Sequence, residues 1–112
     1  MLIAGGIGIT PIKAMASELK QRKTPFELHY TGKAPAAMAY QDSLAAEFSS
    51  NYFPYFSRAP GHHRLQVDDV LQRAAENAVF YVCGPTALIE SVLAAATQLG
   101  IARERVQFES FT

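Results

Sequence analysis

Three glycines fall within four positions, at Gly5, Gly6 and Gly8, directly after the apolar run Leu2-Ile3-Ala4. A Thr10-Pro11 pair then opens a stretch with helical spacing of apolar residues. The pattern predicts a strand, a loop whose bare backbone admits a ligand at close range, and a helix N-terminus. Unpaired N–H groups and the helix dipole make such a place a site for an anion, typically a phosphate. Thr10 is expected to cap the helix, and Pro11 to take its first position, where a missing N–H costs nothing.

Apolar runs and helical segments alternate along the rest of the chain. Strands are expected at 1–4, Phe26–Tyr30, Tyr52–Phe56, Val79–Cys83 and Val106–Ser110. Helices are expected at 11–21, 38–48, 69–75 and 86–99, with Asp68 capping the third and Gly100 ending the fourth. Ile12, Met15, Ala16 and Leu19 share one face of the first helix; Ile89, Val92, Leu93 and Ala96 share one face of the last. Tyr40, Tyr52, Tyr55 and the phenylalanines are expected in the core, and Asp42 and Glu47 in solvent.

Such alternation argues for an α/β fold, a doubly wound five-stranded parallel sheet with helices on both faces. Pro54 cannot donate to a ladder, so the third strand belongs at an edge. The first and fourth strands are the most uniformly apolar and belong in the middle. The strand order 3-2-1-4-5 satisfies both conditions. The chain then reverses direction between strands 1 and 4, and ligands of open α/β sheets bind beyond the strand C-termini at such a point. The two loops there are Gly5–Thr10 and Gly84–Thr86.

Composition excludes several functions. The 112 residues suffice for one domain with a core, spanning 1–112. Ten acidic and ten basic side chains cancel, so no basic field points to nucleic acid. No apolar run reaches membrane-spanning length and no signal peptide is recognisable, so a cytoplasmic location is expected. One cysteine allows neither an internal disulfide nor a cysteine-rich metal or iron–sulfur site. His62-His63 has no third ligand, and no metal site is expected. A phosphate-accepting receiver domain carries acids at the end of its first strand, and residues 1–10 contain none.

The dinucleotide fingerprint G-x-G-x-x-G is met at Gly6 and Gly8, but Pro11 stands at its third position. The longer string Gly5-Gly6-Ile7-Gly8-Ile9-Thr10-Pro11 resembles the pyridine-nucleotide domain of the ferredoxin–NADP reductase superfamily. Tyr81-Val82-Cys83-Gly84-Pro85 resembles that family's second nucleotide loop. Phe108-Glu109-Ser110-Phe111 is similar to the end of the domain in the phthalate dioxygenase reductase and vanillate demethylase reductase branch.

The resemblance implies roles. Gly5, Gly6, Gly8, Thr10 and Pro11 would cradle a dinucleotide pyrophosphate. Cys83, Gly84 and Pro85 would lie beside the nicotinamide, Cys83 positioning the ring rather than attacking it. Glu109 and Phe111 would line the site near a flavin. Ser57 and Arg58, helped by Lys33, would bind an adenosine 2′-phosphate, the guanidinium fork suiting that group. The branch usually takes NADH, whereas the Tyr30-Thr31-Gly32-Lys33 loop lacks the acid typical of NADH enzymes. The coenzyme is therefore NADPH or NADH, with charge favouring the former.

The resemblance also implies what lies elsewhere. FMN or FAD would sit in a flavin-binding barrel domain, and a 2Fe-2S cluster in a ferredoxin-type domain or protein. The motifs of both are missing here, so the chain is expected to be one domain excised from or truncated relative to a larger flavoprotein reductase. That enzyme would pass a hydride from nicotinamide to flavin, and electrons to an iron–sulfur carrier and an oxygenase or demethylase component. Alone, the domain would bind nucleotide without redox turnover. The alternative is a non-enzymatic nucleotide-binding or regulatory module of the same fold.

Overall fold

A computed structural model of the protein describes residues 1–34, 38–58 and 64–110. Five strands are formed: β1 (Leu2–Gly5), β2 (Leu28–Gly32), β3 (Tyr52–Phe56), β4 (Phe80–Gly84) and β5 (Val106–Ser110). They alternate with α1 (Ile9–Gln21), α2 (Gln41–Phe48), α3 (Val67–Arg73) and α4 (Thr86–Gln98). All strand pairs are parallel, in the order β3-β2-β1-β4-β5. Pro54 lies on the edge strand β3, as its missing N–H requires.

Side chains alternate across the sheet, and the central strands β1 and β4 feed two cores, one on each face. Leu2, Ala4, Leu28, Tyr30, Tyr52 and Phe56 join Ile12 and Ala16 of α1 and Leu44 of α2 in one. Ile3, Phe80, Val82 and Val106 join Val70 of α3 and Val92 and Ala96 of α4 in the other. Each of these larger apolar side chains contributes about 1.5–3 kcal/mol by leaving water. Among the described residues no helix is long and apolar enough to cross a membrane.

Several boundaries differ from expectation. A 3-10 turn over Gly6–Gly8 runs straight into α1, so the helix starts at Ile9 with Gly8 as its cap. Thr10 is therefore the second helical residue, not the cap, and Pro11 the third. Proline is harmless there too, because the first four N–H groups of a helix lack intrahelical partners. Helix α3 starts at Val67 behind Gln66, which leaves Asp68 inside its first turn. Phe26 precedes β2, yet is buried in the same core as Leu28 and Tyr30. Tyr40 and Phe108 are exposed rather than core, at 49% and 45%. Glu47 is half-buried and ties α2 to α1: Ser17 Oγ donates to its carboxylate at 3.0 Å, and Lys20 Nζ to its carbonyl at 2.5 Å.

Gly100 closes α4 with φ +73. Its N–H reaches Thr97 O at 3.2 Å and the Ile101 N–H reaches Ala96 O at 2.9 Å. That is the Schellman pair of bonds, and glycine adopts the left-handed position without a Cβ penalty. Helix α1 ends on the same pair of bonds, Lys23 N–H to Lys20 O and Thr24 N–H to Leu19 O, with Lys23 at φ +56.

His29 is the one buried polar or charged residue among those described, fully enclosed in β2. Its Nε2 lies 2.9 Å from the Glu27 carboxylate and its Nδ1 2.7 Å from the Tyr55 hydroxyl. A neutral ring with its proton on Nε2 satisfies both contacts: it donates to Glu27 and accepts from Tyr55. The ring also stacks on Phe53 at 4.8 Å. Burial lowers the His29 pKa from its ordinary value and outweighs the opposing pull of Glu27, while Arg73 adds to the lowering. The folded form thus favours neutral histidine. Its contribution to stability is complete above the unfolded pKa of about 6.5 and is lost as pH falls through the lower folded value. The thermal midpoint is expected to fall between pH 7 and pH 5, and to fall less steeply in His29→Gln. Equal slopes in the two proteins would refute this.

Candidate functional site

The two loops at the point where strand order reverses touch each other. Gly8 is buried under the end of β4, where a Cβ would overlap the Cys83 carbonyl group and lie 2.8 Å from Gly84 N. A Cβ on Gly84 would stand 3.1 Å from Gly5 O, and one on Gly5 2.9 Å from Leu88 Cδ2. These three glycines permit three close approaches, and together they join the Gly5–Gly8 turn to the Cys83–Pro85 loop. Gly6 is glycine for a different reason. Its φ is +56, and nothing lies within 4 Å of where its Cβ would be. The space above it is open.

A cleft of about 450 Å³ opens at these loops, lined by Gly5, Gly6, Thr31, Lys33, Ser57 and Pro85, with Tyr30, Gly32, Met38 and Leu88 as its remaining described walls. Each strand from β1 to β4 delivers its C-terminal end or following loop to this cleft. The backbones after β2 and β3 run on together: Ser57 N–H bonds to Gly32 O and Arg58 N–H to Lys33 O, each at 2.9 Å. Lys33 is exposed in the lining, and Arg58, also exposed, follows the lining residue Ser57 in the chain. No acidic side chain lines the cleft among the described residues. Neither α1 nor α4 has an acid in its first turn or a side-chain cap, so the positive ends of both dipoles are uncompensated. The electrostatics suit an anion.

Cys83 and Glu109 face each other across the β4–β5 ladder. They share a second hollow of about 210 Å³ with Met15, Tyr81 and Gln107, on the α1 side of the sheet. It has no described lining residue in common with the first. Burial pushes the Cys83 thiol pKa up, and the Glu109 carboxylate raises it further. Cys83 is accordingly a neutral thiol at pH 7, suited to packing against a ligand and not to attack.

Of the residues singled out in the sequence, Gly5, Gly6, Lys33, Ser57 and Pro85 line the cleft. Gly8 and Gly84 lie buried, and Arg58 is exposed next to Ser57 without lining the cleft itself. Thr10 is exposed on α1 and Pro11 is half-buried beside it. Phe111, His62 and His63 lie outside the described residues. Among the described residues no group of three metal-ligating side chains converges. Sequence reasoning did not single out Gly32, Met38 or Leu88. Gly32 carried a faint signal, a glycine closing an apolar strand; Met38 carried none.

An open α/β sheet with its glycine turn at the strand reversal defines a nucleotide-binding domain. Residues 2–94 match the family model of the oxidoreductase NAD-binding domain, and the chain belongs to that family. It is 37% identical over 113 residues to oxidoreductase NdmD of Pseudomonas putida, and 38% identical over 112 residues to vanillate O-demethylase oxidoreductase of a Pseudomonas species. Those alignments cover 100% and 99% of this chain, but only 19% and 35% of the relatives. The chain therefore spans about a fifth to a third of their length. Among solved structures, phthalate dioxygenase reductase superposes with a TM-score of 0.84 at 29% identity, covering 97% of this chain and 34% of that one. That protein is described as a modular structure for electron transfer from pyridine nucleotides to a 2Fe-2S centre.

Proposed function

We propose that this chain is the coenzyme-binding domain of a flavin-dependent reductase that serves an oxygenase or demethylase. The dinucleotide pyrophosphate sits over Gly6 and the N-terminus of α1. The nicotinamide end points toward Cys83–Pro85, and the adenosine end toward Lys33, Ser57 and Arg58. The single observation that carries this reading is the seam between the Gly5–Gly8 turn and the Cys83–Pro85 loop, which opens on a cleft with a cationic rim.

The residues present fit the coenzyme. Gly6 leaves room for a phosphate to reach the backbone, and the rim supplies positive charge without a competing carboxylate. When bound, the dihydronicotinamide supplies a hydride, which a flavin in a neighbouring barrel domain would accept before electrons pass to an iron–sulfur carrier. This chain's task is orientation: Gly84 and Pro85 would bound the ring and Cys83 would pack behind it, with Glu109 alongside.

Calorimetric titration with NADH and NADPH tests the reading. Binding of at least one is expected, and binding of neither would overturn it. Lys33 and Arg58 favour NADPH. Arg58→Ala should then weaken NADPH by about 1.5–3 kcal/mol, the scale of a hydrogen bond to a charged group, and leave NADH unchanged. Equal loss for both coenzymes would remove Arg58 from the 2′-phosphate. Dye reduction by this chain with NADPH and no flavin would refute the division of labour.

A further inference from the structure

Gly32 closes β2, and Met38 stands just ahead of α2. The two meet at one wall of the cleft. Conformation does not demand a glycine at this position, since among the described glycines only Gly6 and Gly100 have positive φ. Space does. A Cβ on Gly32 would overlap Met38 Cγ and lie 2.8 Å from Met38 Sδ. The thioether therefore lies flat against the Gly32 backbone, 7% exposed, with both residues lining the cleft.

The residues that follow Met38 are anchored. Tyr30 is buried and lines the cleft with Met38, and its hydroxyl hydrogen-bonds to the Ala39 backbone. The next residue, Tyr40, turns the chain through a left-handed conformation at φ +63 into α2. Lys13 Nζ of α1 lies 5.5 Å from the centre of the Tyr40 ring. Pro85 and Leu88 supply carbon surface elsewhere in the lining, and Lys33 and Ser57 supply polar groups. An apolar slot with a cationic lip is complementary to a flat heteroaromatic ring joined to a phosphorylated sugar.

We propose that Met38 is the platform on which the adenine ring of the dinucleotide rests, and that Gly32 lacks a side chain so that Met38 can lie back and keep the slot open. The inference depends on the nucleotide reading above and adds a specificity-determining residue to it. A thioether suits the task because it is polarizable, unbranched and contacts ring faces and edges favourably. Platform and adenine interact through apolar contact, so the preference is for the base and is independent of the 2′-phosphate.

The test uses the whole protein titrated with AMP, NADH and NADPH, with thermal melts as the fold control. Met38→Ala is expected to weaken all three by the same factor, roughly 5- to 10-fold, the upper range of a sulfur–aromatic contact. Met38→Leu, which keeps the apolar bulk, should recover most of that loss. Gly32→Ala should weaken AMP with Met38 intact, and should cost nothing further once Met38 is alanine, because the side chain it displaces is gone. If Met38→Ala does not fold, Met38→Leu and Gly32→Ala carry the comparison. Unchanged AMP affinity in Met38→Ala or Gly32→Ala, with the parent chain binding NADH or NADPH, overturns the platform alone. A parent chain that binds no dinucleotide overturns the nucleotide reading itself.

Discussion

Gly8→Ala is expected to destabilise the fold by about 3 kcal/mol or more, at or above the upper end of the overpacking range. The added methyl would overlap the Cys83 carbonyl group and approach Gly84 N to 2.8 Å. Those atoms are backbone, and they cannot step aside as a side chain would. Cys83 is paired with Ala4 of β1 on one side and with Glu109 of β5 on the other. The 3-10 turn must therefore lift away, taking the start of α1 with it. A loss of that size is a large share of the roughly 5–15 kcal/mol that holds an ordinary domain together. Urea unfolding followed by circular dichroism measures it. A midpoint equal to that of the parent chain would mean that the turn and β4 do not touch in solution.

Gly6→Ala, two residues earlier, is expected to do the reverse: spare most of the fold and abolish most of the binding. Its Cβ would meet nothing within 4 Å, so the structural cost is confined to the left-handed backbone, about 1–2 kcal/mol. The methyl would stand in the open space where the proposed function puts the pyrophosphate. Loss of one charge-assisted contact set there amounts to about 1.5–3 kcal/mol, roughly 10- to 100-fold in affinity. Titration with NADH and NADPH, beside a melt of the same variant, separates the two effects. Unchanged affinity for both coenzymes would move the pyrophosphate away from this turn.

The large features were legible because each has a local cause. Pro54 fixed an edge and the apolar runs at β1 and β4 fixed the centre, so the strand order followed. Tyr52–Phe56 and Val106–Ser110 were located to the residue. Gly100 marked the end of α4 because glycine is the residue that occupies a left-handed C-terminal turn without strain. Lys23 occupies the same turn at the end of α1 and could not be read, since nothing in a lysine announces that conformation. Thr10 was misjudged as a cap because a preceding 3-10 turn carries no sequence signature separate from the glycine loop. The contact between Gly32 and Met38 was invisible for another reason: it is a tertiary contact between a strand end and a residue outside any regular element, and no periodicity links the two. Tyr40 and Phe108 look like core by type, yet Tyr40 stands at the start of α2 and Phe108 on the edge strand β5, and both are exposed.

The turn over Gly6–Gly8 is already seated on β4 by contacts between main chains. Its two lips meet without waiting for a guest, so no disordered segment must freeze there when an anion arrives. If the proposed coenzyme site is right, capture at this end of the cleft is expected to be a lock-and-key event, with little entropy lost in the polypeptide.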